Sequence, residues 1–384
     1  MLEKLILHNL KSHKSTELNF DNSRLHGIVG KNSAGKTSVL QALYYLSMLT
    51  KLPIRKIFQH EISHQIITTI GESKMSVTAS GFWESVTRKR HWEVILSWGK
   101  KTSELGTKSD DIVLSCNTDK NSLTLHGDRG SLYENKEVEP IYESFKNTIY
   151  LKLVGSNLAK PAYSNEITPR VEFDGSGLAP TLDFLRDESP DKFQLIEEKL
   201  SRIVPNVRKI GIRRAKVPVI RNRLIEVDGK SISYEETQEM TGQEVVLDMN
   251  TGERIPAHAI SEGTMLTLGL LTVLMNPNQP NLVLLDDVEQ GLHPKAQREL
   301  MTVFKEIIAE NPNLQIIFTT HSPYIIDALA PSQVHILNNS KSGFTIAKRL
   351  DEHPDVEWAK ETLTTGEFWD AEGEDWVVEG EVSD

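Results

Sequence analysis

Gly30-Lys31-Asn32-Ser33-Ala34-Gly35-Lys36-Thr37 is the G-x-x-x-x-G-K-[ST] pattern of a phosphate-binding loop, and Leu-His-Gly-Ile-Val at residues 25–29 before it reads as a buried strand. A loop with Gly at both ends can curl its backbone N–H groups inward around a β-phosphate, at the positive end of the following helix. In such a loop Lys36 reaches the β- and γ-phosphates and Thr37 offers a hydroxyl to Mg²⁺. The stretch therefore predicts an ATP or GTP binder. Taken alone, the same pattern also describes a Gly-containing turn that caps a helix, so three later stretches have to decide.

Residues 281–287, Asn-Leu-Val-Leu-Leu-Asp-Asp, are a short apolar run ending in two acids. A fully buried parallel strand that delivers carboxylates to its C-terminal edge has this pattern, and it is a Walker B element. Residues 315–323, Gln-Ile-Ile-Phe-Thr-Thr-His-Ser-Pro, form a second apolar strand that delivers His321, which suits a γ-phosphate sensor. Between them and the first strand, Ser261-Glu262-Gly263-Thr264-Met265 opens an apolar stretch through Leu266, Leu268, Leu270, Leu271, Val273 and Leu274. That stretch reads as a buried helix with Ser261 at its N-cap. A Ser and a Gly at that point leave backbone N–H groups free to meet an anion.

With these motifs in this order, the chain resembles the ABC-type ATPases of the SMC, RecF and overcoming-lysogenization-defect (OLD) group. In that group a short signature precedes Walker B and a switch His follows it. The likeness extends to the opening strand, residues 1–12, and to the D-loop-like Asp286-Asp287-Val288-Glu289-Gln290-Gly291-Leu292-His293-Pro294. It implies an α/β fold: a P-loop ATPase head with a mainly parallel central sheet flanked by helices, an antiparallel β-lobe and a helical insertion. It also implies that ATP and Mg²⁺ are bound and that two copies close head-to-tail over two nucleotides. By the same resemblance, Gly30, Asn32, Gly35, Lys36, Thr37 and Ser38 hold the nucleotide, with Ser38 at the α-phosphate. Thr37 and Asp286 hold Mg²⁺, His321 senses the γ-phosphate, and Ser261 and Gly263 serve the partner's site.

One position departs from that pattern. The residue after the Mg²⁺ aspartate is usually a Glu that polarises the attacking water; here it is Asp287, one methylene shorter. A base that misses its water by about 1 Å loses roughly two orders of magnitude in rate. Slow hydrolysis is expected, with Asp287, His321 and Lys36 as the catalytic set and Glu289 as a substitute base. No Gln follows the strand expected at residues 148–153, so a Q-loop glutamine has no candidate.

Composition is that of an ordinary globular chain: 384 residues, 38% hydrophobic and 25% charged, with no run approaching 18 apolar residues. A single ATPase head with additions, residues 1–350, is the economical reading. No membrane span and no leader are expected, and the lone Cys116 fits a reducing cytoplasm.

Alternating stretches at residues 77–83, 92–98, 112–116 and 122–126 predict a β-lobe at about 65–147. Residues 178–186 and 189–204 read as helices, within a helical and basic insertion at about 168–227. Eight bases and no acid lie between Arg202 and Arg223, and Arg88-Lys89-Arg90-His91-Trp92 is a second basic knot. Either could track a phosphate backbone, or simply protect a strand edge. Residues 351–384 carry 13 acids and one base against 41 acids and 42 bases before them. This acidic tail repeats Gly-Glu-Phe-Trp and Gly-Glu-Asp-Trp, at 366–369 and 373–376. It is expected either to dock a partner through its Trp residues or to fold back on its own head.

The leading functional expectation is a sensor or regulatory ATPase of prokaryotic defence that controls a separate nuclease or toxin. The alternative is a RecF-like DNA repair ATPase. An ATP-driving transporter subunit is disfavoured, because the signature reads Ser-Glu-Gly-Thr and 223 residues separate Thr37 from Ser261.

Overall fold

The structure, a computed structural model, describes all residues except 59–66, 86–87, 103–107, 127–131, 133–134, 228–229, 278–279 and 380–384. The start expected for the β-lobe, at residue 65, and the last five residues of the tail lie outside the described residues. The chain divides into two units: Met1–Tyr150 with Gln279–Glu289 and Phe304–Asp384, and Leu151–Asn278 with Gln290–Val303.

The first unit holds two six-stranded sheets. One is antiparallel, in the order β2-β1-β4-β5-β6-β7, from β1 (Leu2–Leu10), β2 (His13–Asn19), β4 (Lys74–Ser85), β5 (Arg88–Thr102), β6 (Lys108–Thr118) and β7 (Ser122–His126). Its register sets Val77 opposite Leu96 and Ala79 opposite Val94, and then Leu96 opposite Leu114 and Val94 opposite Cys116. Period-two alternation thus lines one buried face, on which Cys116 is an ordinary core residue.

The other sheet runs β15-β14-β3-β13-β12-β8, from β3 (Leu25–Gly30), β8 (Thr148–Leu151), β12 (Leu282–Leu285), β13 (Gln315–Thr319), β14 (Val334–Asn339) and β15 (Thr345–Arg349). The pairs β12–β13, β13–β3 and β3–β14 are parallel, and β15 is antiparallel to β14. Every residue of β3, β12 and β13 is buried, which explains their mainly apolar sequences. Helix α1 (Lys36–Met48) leaves the loop after β3, and its Leu40 and Leu43 join one core with Leu5, Leu7 and Val77 of the antiparallel sheet and Leu284 and Ile317 of the parallel one. Helix α2 (Glu139–Phe145) closes that core at one end, with Phe145 edge-on to Trp92 at 5.4 Å.

The described part of the C-terminal tail folds onto this same unit, one of the two outcomes its sequence left open. Helices α8 (Pro323–Ile326), α9 (Val356–Thr362) and α10 (Thr365–Glu372) order it. Thr364 and Glu367 form a capping box at the start of α10, and the Gly366 N–H donates to Asp327 Oδ1 at 3.0 Å. Phe368 and Trp369 are buried. His353 stands edge-on to Phe368 and Trp376, with ring centroids 5.0 and 4.8 Å away. Capping and aromatic burial together outweigh the poor helix propensity of the Gly-spaced acids.

In the second unit α3 (Gly155–Leu158), α4 (Leu178–Glu188) and α5 (Pro190–Ile203) surround α6 (Glu262–Leu274), which is buried from Gly263 onward. A helix apolar on all sides belongs in such a place. Helix α7 (Pro294–Glu310) begins in this unit and ends in the first. The stretch after α5 is not helical: β9 (Val207–Val227) and β10 (Lys230–Met249) form one long antiparallel hairpin, joined at its base by β11 (Arg254–Pro256). The basic run therefore lies mainly on a strand, and much of its charge is answered across the hairpin or nearby. Arg213 pairs with Glu244 at 2.9 Å, Lys216 with Glu239 at 3.0 Å, Arg223 with Glu236 at 2.7 Å and Arg202 with Glu299 at 2.7 Å.

Candidate functional site

The loop between β3 and α1 lies at the C-terminal edge of the parallel sheet, where open α/β sheets bind ligands. Gly35 adopts φ +92°, a left-handed conformation, and a Cβ there would lie 2.6 Å from His13 Nε2. Only Gly meets both demands. Lys36 is buried, and its Nζ donates to the carbonyls of Gly30 at 2.8 Å and Lys31 at 3.1 Å. Burial lowers its pKa, while Asp287, Asp286 and Glu289 pull the other way and favour its charge.

Next to it, β12 and β13 deliver their terminal polar groups side by side. Thr37 Oγ1 lies 3.1 Å from each carboxylate oxygen of Asp286, and Thr319 Oγ1 donates to Asp286 Oδ1 at 2.7 Å. The same Thr319 hydroxyl accepts the Asp287 N–H at 2.8 Å. Asp287 holds φ +56°, an uncommon conformation for a residue with a side chain, costing on the order of 1 kcal/mol or more. One threonine thus holds the Mg²⁺-type acid and pins the strained peptide that aims its neighbour. The hydroxyl of Thr37 and the carboxylate of Asp286 are the hard oxygen donors that Mg²⁺ takes beside nucleotide phosphates, so this pair fits that ion.

A cavity of about 360 Å³ opens over the loop, lined by Lys11, Ser12, residues 32–38, Asp287 and His321. Of the residues singled out from sequence, Asn32, Gly35, Lys36, Thr37, Ser38, Asp287 and His321 meet here. Gly30 and Asp286 stand behind the lining, in contact with Lys36 and Thr37. Glu289 is absent from the lining, and its Oε1 accepts the His321 N–H at 2.7 Å. It supports the segment that carries the histidine. Ser261 and Gly263 belong to the second unit. Ser261 caps α6, accepting from the Thr264 N–H, and is exposed. A Cβ on Gly263 would lie 2.1 Å from the Gly291 carbonyl, so close backbone packing already demands glycine there.

Sequence reasoning did not select Thr319, although it sits in the quoted strand two residues before His321. It also passed over Lys11 and Ser12 as lining residues, and His13, Thr16 and Thr345 beneath the loop.

The chain is similar to an ATP/GTP phosphatase of Helicobacter pylori, 22% identical over 86% of this chain and 87% of that protein. It is also similar to the Retron Vc95 probable ATPase of Vibrio cholerae, 29% identical over 38% of this chain, and spans 29% of that longer protein. Among solved structures, an Smc head domain from Pyrococcus furiosus, with an extended coiled coil and bound to the C-terminal domain of ScpA, has the same fold. Its TM-score is 0.51 at 14% identity, over 94% of this chain and 98% of that one. No described helix is long and apolar enough to cross a membrane. Residues 25–327 match the AAA_21 family, described as "AAA domain, putative AbiEii toxin, Type IV TA system", and the chain belongs to that family.

Proposed function

We propose that this chain binds ATP with Mg²⁺, hydrolyses it slowly, assembles head-to-tail with a second copy around the nucleotide, and so controls a separate nuclease or toxin in prokaryotic defence. The observation that carries the reading is the convergence of Lys36, Thr37, Asp287 and His321 on one cavity, with Asp286 held behind them by Thr37 and Thr319. In this arrangement Lys36 and the loop N–H groups bind the phosphates, Asp287 orients and deprotonates water, and His321 contacts the γ-phosphate. Bound Mg²⁺ would neutralise phosphate charge. Asp287 carries a shorter side chain than the usual glutamate, which favours a long-lived ATP state over rapid turnover.

Assembly is supported by exposed Ser261 at the N-terminus of α6, where the helix dipole favours an anion. The defence role is supported by the retron name of one relative and the toxin–antitoxin description of the family. Direct DNA tracking is disfavoured, because four of the eight bases between Arg202 and Arg223 already pair with acids.

Ser261→Asp tests the assembly, since Asp preserves the cap and repels a γ-phosphate. Sedimentation is expected to show that ATP-driven dimers are lost while each monomer still binds ATP; dimers of unchanged strength would refute the shared site.

A further inference from the structure

We propose that His13 and Thr345 are positioning residues for ATP binding: from behind the phosphate loop they grip two of its carbonyls, and so aim two of its N–H groups at the phosphates. A trans peptide unit is planar, with its C=O and N–H pointing in opposite directions. Fixing a carbonyl on one side therefore fixes the next residue's N–H on the other. Thr345 Oγ1 donates to the Ala34 carbonyl at 3.1 Å, which orients the N–H of Gly35. His13 Nε2 lies 3.1 Å from the Gly35 carbonyl and donates to it, which orients the N–H of Lys36. Both peptide units belong to the phosphate-binding pattern, yet neither gripping side chain does.

The grip is itself braced. Ser12 Oγ lies 2.7 Å from Thr345 Oγ1 and, because that hydroxyl's hydrogen goes to Ala34, Ser12 is the donor. Thr16 Oγ1 lies 3.0 Å from both His13 Nδ1 and the Thr345 carbonyl, two acceptors between which its one hydroxyl hydrogen is shared. The Thr345 N–H returns to the Ser12 carbonyl at 2.8 Å. His13, Thr16 and Thr345 are all buried, and burial keeps the His13 ring neutral, its pKa pulled down to about 4. A neutral ring that donates from Nε2 has its hydrogen on the atom facing Gly35. The network thereby clamps the loop between β2 and β15, whose residues lie more than 300 positions apart in the chain.

This inference rests on the loop being the phosphate site. Titration of a fluorescent ADP analogue into the full chain, with melting temperature and KM against kcat measured in parallel, tests both. Lys36→Ala should weaken binding by about 100-fold. His13→Leu and the near-isosteric Thr345→Val should each weaken it by about tenfold or more and raise KM, as expected when a buried carbonyl loses its donor. His13→Gln, whose amide nitrogen can reach the Gly35 carbonyl, and Thr345→Ser should restore affinity to within about threefold of wild type. A purely structural role would lower the melting temperature in Leu and Val variants that still bind at wild-type strength; that result, with Lys36→Ala weakened, would overturn the clamp alone. Wild-type binding by Lys36→Ala would overturn the site and the clamp together.

Discussion

The phosphate edge of the first unit and the long hairpin of the second both concentrate charged and polar side chains, but they use them differently. At the edge, Lys36, Asp286, Thr319 and His13 are buried and each meets a fixed partner. On the hairpin, Lys216 and Arg223 keep 81% and 56% of their side-chain surface in contact with solvent while pairing with glutamates. Buried polar groups are costly to leave unmet, whereas exposed ion pairs contribute roughly 0–1 kcal/mol and weaken with salt. Position and chemistry are therefore set at the edge, and the hairpin's pairs mainly hold its strands in register.

The comparison can be broken or sharpened by four measurements, in decreasing size of effect. Phe368→Ala, which empties the buried contact of the tail on the first unit, should cost about 3–5 kcal/mol of unfolding free energy in denaturant. A loss under 1 kcal/mol would mean the tail is not part of that core.

Acid should act on the buried edge next. Burial depresses His13 from 6.5 to about 4, so the folded state stays neutral while the unfolded chain takes up the proton. Stability is then complete above pH 6.5 and falls as pH drops toward 4, by about 3 kcal/mol from this residue. His26 and His335, also depressed by burial, add to the loss in the same direction. A stability that stays flat between pH 6.5 and 4 would contradict this.

Lys36→Ala should weaken nucleotide binding by about 100-fold, near 2.7 kcal/mol, with little change in melting temperature. The smallest effect belongs to the hairpin. Arg223→Gln should change stability by less than about 1 kcal/mol, and the difference should vanish in 1 M salt. A loss of several kcal/mol there would show that the hairpin's charges are as structural as those at the edge.

What was legible in the sequence follows the same division. The loop at Gly30 to Thr37, the acids after β12 and the histidine after β13 are local motifs that follow short, mainly apolar strands, so each declares itself within a short stretch of sequence. Thr319 lies inside one of those strands, but its role appears only when β12 and β13 pair and bring Asp286 alongside. His13 and Thr345 are joined through space alone, and no short pattern could link them. The hairpin escaped because, among the described residues of β9 and β10, full burial is confined to Val207, Ile210, Gly242 and Glu244 to Leu247 near its base, so the alternation that betrays a half-buried strand is weak. For the tail the sequence left docking and folding back both open, although one local signal favours the latter. Thr364-x-x-Glu367 is a legible capping box, and it predicts the helix that buries Phe368 and Trp369.

The central claim, a poised and slowly hydrolysing site built on Asp287, is tested most directly by steady-state ATP turnover of the wild type, Asp287→Glu and Asp287→Ala. The account predicts that Glu accelerates hydrolysis by up to about 100-fold, because it closes a gap of roughly 1 Å to the water, and that Ala abolishes turnover while ATP still binds. Wild-type turnover in the Ala variant would contradict it.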